Sequence, residues 1–173
     1  MHKAGFVNII GSPNVGKSTL INAILGEKLV ITNAKAQTTR HRILGMLNAD
    51  NYQLILSDTP GIIQPAYKLQ ESMMDAMQSV FDDADVLIYM VEIGEKKAKV
   101  ESIIQRLAKT DKPLFLVINK IDKGNQTLLE ETIDAWKEQL PNAQIRSISA
   151  LEKFQILKPY SWLIYRKKGE FIV

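Results

Sequence analysis

Nine consecutive residues, Gly11, Ser12, Pro13, Asn14, Val15, Gly16, Lys17, Ser18 and Thr19, carry the spacing G-x-x-x-x-G-K-S of a phosphate-binding loop. A glycine at each end lets the backbone wrap until several N–H groups converge on one anion. Lys17 brings a compact positive charge to the outer phosphates, and the Ser18 hydroxyl is suited to ligate Mg²⁺. A helix starting here adds the positive end of its dipole. The flanks agree: the strand-like run FVNII comes just before, and Leu20, Ile21, Ile24 and Leu25 follow at helical spacing until Gly26. A phosphate loop by itself leaves ATPases, kinases and GTPases open.

Downstream motifs narrow the choice. ILSDTPG puts Asp58 at the carboxyl end of an apolar run, followed by Thr59, Pro60 and Gly61. An acid there reaches Mg²⁺ through a water, and the Gly61 N–H is placed to touch a γ-phosphate. Alone, the same residues also read as a plain strand-to-turn DTPG. LVINKID then places Asn119, Lys120 and Asp122 at the end of a later buried strand. A carboxylate at Asp122 accepts two hydrogen bonds from guanine N1–H and its exocyclic amine. Adenine offers no such pair and would leave the carboxylate unpaired. Lys120 lays its methylene stem along the base face. In SAL, the residues Ser149, Ala150 and Leu151 follow the last strand, where the Ala150 N–H is expected to meet guanine O6. The segment KAQTTRHR, 35–42, lies between the first helix and the second strand, as a switch loop should. A Thr hydroxyl in it completes Mg²⁺ coordination only while a γ-phosphate is present. Arg40, His41 and Arg42 read as a solvated basic face.

The elements that must hold these motifs alternate in type. Strands are expected over 6–10, 43–47, 53–56, 85–91, 114–119 and 144–148. Between the later ones, Val100, Ile103, Ile104 and Leu107, then Leu129, Ile133, Trp136 and Leu140, recur at helical spacing. Leu69, Met73, Met77, Val80 and Phe81 form another stripe, read as core packing rather than as a binding surface. Continuously apolar strands alternating with amphipathic helices predict an α/β fold, a mostly parallel sheet covered on both faces. Turn residues around Asn48 to Tyr52 predict one antiparallel edge strand. Ligands of such sheets bind at the carboxyl ends of strands, where the loop at Gly11 falls.

Composition fits without pointing further. At 173 residues and 46% apolar, the chain reads as one domain with enough length to bury a core. The net charge is +3 with both signs interspersed, so no strong field for nucleic acid or membrane arises from charge alone. The absence of cysteine excludes disulfides, thiolate zinc sites and a cysteine nucleophile. MHKAG runs straight into the first strand, so no signal peptide is expected. VLIYMV and LFLVI are strand-length and too short to span a bilayer.

In this order, G-x-P-N-V-G-K-S-T, K-A-Q-T-T-R-H-R, D-T-P-G and N-K-x-D resemble the G domain of the Era family of bacterial GTPases, over about residues 4–152. The resemblance implies a P-loop NTPase G domain with a six-stranded sheet, binding GTP and Mg²⁺ and hydrolysing slowly to GDP. It implies a role in small ribosomal subunit assembly through 16S rRNA, in a monomeric cytoplasmic protein with some peripheral association at the inner membrane. By matching position, 11–19 bind phosphates, Ser18 and Thr39 (rather than Thr38) ligate Mg²⁺, Asp58 holds its water, and Asn119, Lys120, Asp122 and Ala150 bind guanine. Thr59, Pro60, Gly61 and Ile62 complete the nucleotide contacts.

Two features modify that expectation. Ras-type GTPases place a water-positioning Gln directly after the Gly of the D-x-x-G motif, and here that residue is Ile62. Relatives with this substitution are similar in carrying Asn at the position of Asn14, where it helps to hold a K⁺ ion acting like an arginine finger. Lys17, Thr39, Gly61 and Asn14 are therefore the expected catalytic group, and turnover should be slow. Beyond about Phe154 the sequence departs from the family pattern. Era-like chains continue into an amphipathic helix and a KH domain with a GxxG loop. Here Pro159 interrupts any helix, no GxxG occurs, and Trp162 with its neighbours makes an aperiodic apolar cluster. The tail over 153–173 therefore reads as truncated or out of frame, with no full-length final helix and sheet surface left uncovered near Phe6, Leu116 and Ile148. The alternative function is a non-catalytic guanine-nucleotide-binding module with no RNA output.

Overall fold

The computed structural model describes residues 3–26, 43–48, 50, 52–59, 78–156, 166–167 and 170–171. Six strands form one sheet: β1 (Lys3–Gly11), β2 (Ile43–Asn48), β3 (Tyr52–Asp58), β4 (Val86–Glu92), β5 (Leu114–Asn119) and β6 (Gln144–Ser147), in the order β2-β3-β1-β4-β5-β6. Only β2 runs antiparallel, against β3, and it forms one edge as expected. Asn48 and Gln53 pair where the two strands meet, and the Gln53 Nε2 donates to Asn48 Oδ1 at 2.6 Å. The strands run slightly longer than their apolar runs suggest, because polar ends such as Lys3 and Asp58 stay in register with a neighbouring strand.

Alternation along the buried strands feeds two cores. Val86, Ile88 and Met90 of β4, with Phe115 and Val117 of β5, face helix α1 (Lys17–Leu25), which contributes Leu20, Ile21 and Ile24. Leu87, Tyr89 and Val91, with Leu114, Leu116 and Ile118, face the other side. There they meet α2 (described over 78–83), α3 (Glu101–Ala108) and α4 (Gln126–Gln139). Burial on both faces is what makes β4 and β5 read as unbroken apolar runs. The largest plug is Trp136 of α4, fully buried, its ring edge-on to Tyr89 at 5.5 Å.

The expectation of bare sheet near Leu116 and Ile148 is corrected here, since both are buried, at 0% and 2% exposure. Leu116 packs on the α3–α4 side, and Ile148 shares its core with Ile156 from the start of the tail. Phe6 is half-exposed. Farther on, β7 (Arg166–Lys167) and β8 (Glu170–Phe171) make a short antiparallel pair. Pro159 and Trp162, like most of the stripe over 69–81, lie outside the described residues. Among those described, no helix is long and apolar enough to cross a membrane.

Candidate functional site

The phosphate loop leaves β1 at Gly11, where the backbone packs so closely on β4 that a Cβ would stand 2.4 Å from the Met90 carbonyl oxygen. It re-enters regular structure at Gly16, with φ +108°, and the first turn of α1 carries no side-chain cap. The positive end of the α1 dipole therefore lies at the loop, where an anion is favoured. A Cβ at Gly16 would also fall 2.3 Å from Asn119 Nδ2, so two constraints require glycine there. Asn14 is exposed at the loop's tip with φ 62°. Lys17 is buried beneath the loop, its Nζ donating to the carbonyls of Gly11 at 3.1 Å and Ser12 at 3.0 Å. Burial lowers its pKa from 10.5 to about 8, against the opposing pull of the Asp58 carboxylate.

Parallel pairing of Ile9 with Asp58 brings the end of β3 beside this loop. Asp58 is fully buried, and its Oδ2 accepts a hydrogen bond from the Ser18 hydroxyl. A hydroxyl and a carboxylate meeting on neighbouring elements form a hard-oxygen donor set that would fit Mg²⁺. No cluster of three or more His, Cys, Asp or Glu competes as a metal centre among the described residues. The Thr59 hydroxyl donates to the Ile9 carbonyl at 2.7 Å, so this side chain fastens the turn to β1. Thr38, Thr39, Pro60, Gly61 and Ile62 lie outside the described residues.

The third component is the end of β5. Asn119 is buried and acts as a brace: Nδ2 donates to the Val15 carbonyl at 2.8 Å, and Oδ1 accepts from the Ala150 N–H at 2.8 Å. One amide thus joins the phosphate loop, the NKID turn and the SAL segment. The Ala150 N–H, expected to meet guanine O6, is buried and donates to this Asn119 oxygen, as a buried donor takes an acceptor within reach. Asp122 sits exposed in the 3-10 turn Ile121–Lys123, with Oδ1 accepting from the Ser149 hydroxyl, which fixes the carboxylate's orientation. Leu151 is 70% exposed.

Two acids that motif reading passed over complete the wall. Glu92 Oε2 pairs with Lys120 Nζ at 2.7 Å, and Glu95 Oε1 accepts from the Ser12 hydroxyl at 3.4 Å. The Glu95 charge adds to burial in pushing the Tyr89 hydroxyl pKa up. Their only sequence signal is position, Glu92 at the end of a buried strand and Glu95 three residues beyond it.

A protein-family model described as 50S ribosome-binding GTPase matches residues 6–120. The chain belongs to that GTPase family. Its resemblance to Era is borne out by the GTPase Era of Thermoanaerobacter sp. (strain X514), 46% identical over 156 residues, which are 90% of this chain and 52% of that protein. The chain therefore spans about half the length of the curated relatives it matches. Era in a crystal structure with MgGDPNP and nucleotides 1506–1542 of 16S ribosomal RNA superposes with a TM-score of 0.85 at 40% identity, over 98% of this chain and 59% of that one. A variant Era from Aquifex aeolicus bound to GDP·AlF₄⁻ gives 0.84 at 40% identity, over 97% and 58%.

Proposed function

We propose that this chain binds GTP and GDP with Mg²⁺, hydrolyses GTP slowly to GDP, and serves as an Era-like switch in small ribosomal subunit assembly through 16S rRNA. The observation that carries the reading is the Asn119 brace, which holds a phosphate loop and a guanine-type carboxylate loop to each other. Two loops so joined suit a ligand with a base at one end and phosphates at the other. The first-turn N–H groups of α1 and Lys17 bind the phosphates, while Ser18 and Asp58 hold the metal. When bound, Mg²⁺ neutralises charge on the phosphate oxygens. Asp122, oriented by Ser149, selects guanine, and Lys120 lies against its face.

Slow turnover follows from Ile62, which offers no hydrogen bond to orient water, so positioning and charge must lower the barrier. Asn14, exposed in the loop, is the residue expected from the family pattern to hold a K⁺ that supplies part of that charge. The family resemblance is also the ground on which we propose a cytoplasmic, monomeric protein with some peripheral association at the membrane. Hydrolysis of GTP by the chain in Mg²⁺, faster in KCl than in equimolar NaCl and lost in Ser18→Ala, is the expected result. Equal rates in the two salts would remove K⁺, and undiminished hydrolysis in Ser18→Ala would overturn the metal assignment.

A further inference from the structure

Glu92 ends β4, and the parallel register sets it opposite Asn119, the neighbour of Lys120. Its carboxylate takes the Lys120 ammonium at 2.7 Å, with the lysine side chain 22% and the glutamate 40% exposed. The turn that presents Glu92 is closed and anchored. The Glu92 N–H donates to Glu95 Oε2 at 3.3 Å, and the Glu95 N–H donates to the Glu92 carbonyl at 2.9 Å. Gly94 N–H reaches Thr132 Oγ1 of α4 at 2.9 Å, and the Trp136 indole N–H donates to the Glu95 carbonyl. Lys120 itself is fixed at its root, in a left-handed backbone (φ 61°) with the Lys123 N–H donating to its carbonyl at 2.9 Å. A lysine held at both root and tip has its methylene stem confined to one path.

We propose that Glu92 is a positioning residue for base binding: it holds the Lys120 ammonium so that the stem lies ready beneath the flat face of a guanine selected by Asp122. The inference rests on the guanine-nucleotide reading above. A free lysine samples many rotamers, and ordering them at the moment of binding weakens affinity, whereas a stem ordered beforehand does not. The pair is partly exposed and screened by solvent, so the effect is modest, about threefold to fivefold in affinity.

The test is a double-mutant cycle on the full chain, with GDP and Mg²⁺ titrated by calorimetry. Glu92→Gln, nearly isosteric but uncharged, should weaken GDP binding about threefold to fivefold. Glu92→Asp keeps the charge on a shorter arm, should fall between, and serves if Glu92→Gln does not fold. In a Lys120→Ala background the Glu92 substitutions should cost nothing further, because their effect passes through the lysine. Equal losses in both backgrounds would make Glu92 a purely structural tie and overturn the proposal. So would wild-type affinity in Glu92→Gln, with the guanine reading left standing. Failure of the unaltered chain to bind GDP would overturn that reading and this one together.

Discussion

Asp122 and Lys17 carry opposite ends of the chemistry, and each makes a separate demand. One Asp122 oxygen is fixed by the Ser149 hydroxyl, and on the proposed reading the carboxylate accepts from two guanine donors. Asp122→Asn replaces an acceptor with a donor where guanine donates, whereas the 2-oxo group of xanthine accepts. GDP affinity should fall roughly a hundredfold while that for xanthosine diphosphate rises, read by competition titration. Unchanged preference between the two would refute the assignment. Lys17 has a folded-state pKa of about 8 against 10.5 unfolded. Below about 8 both states hold the proton, so the burial penalty is fully present. Between about 8 and 10.5 the unfolded chain binds more protons, so stability rises with pH. Urea melts of nucleotide-free chain in chelator should show the wild type gaining on Lys17→Met across that window. A pH-independent difference between the two would contradict the burial of a charged lysine.

Among the elements, β1, β3, β4 and β5 set the site by ending side by side, and Asn119 ties the loops that leave them. Asn119→Ala leaves the Val15 carbonyl and the Ala150 N–H buried without that partner, which should cost about 1–3 kcal/mol. Denaturant midpoints should drop accordingly and GDP binding should weaken with them; unchanged values for both would show that the brace is dispensable. Much of this level was legible beforehand. Leu114–Asn119 matches its apolar run end to end, since a strand buried on both faces leaves no ambiguity at its edges. The phosphate loop and Asp122 were legible because their spacing is local. The Glu92–Lys120 pair was not: its partners are 28 residues apart, and only the β4–β5 register brings them together. Nor could sequence show that Asn119 pairs with Ala150, because which acceptor a buried N–H finds depends on packing. The burial of Leu116 was missed for the same reason, since the parity of a strand fixes alternation but not which helix lies on which face.

At the scale of the whole molecule, two cores lie back to back across one sheet, and the candidate site residues among those described gather at the carboxyl ends of the strands. That arrangement suits a nucleotide that bridges the loops and stabilises the folded chain by mass action, about 2.7 kcal/mol at a hundredfold excess over Kd. Its defining property is the choice of base. An apolar pocket discriminates weakly, but a site built on paired donors and acceptors rejects a partner that leaves them unmatched. Equilibrium titration of the chain with GDP and with ADP, each in Mg²⁺ under identical conditions, reads this choice directly. GDP should bind at least about a hundredfold more tightly than ADP, and equal affinity for the two would contradict a guanine-nucleotide site.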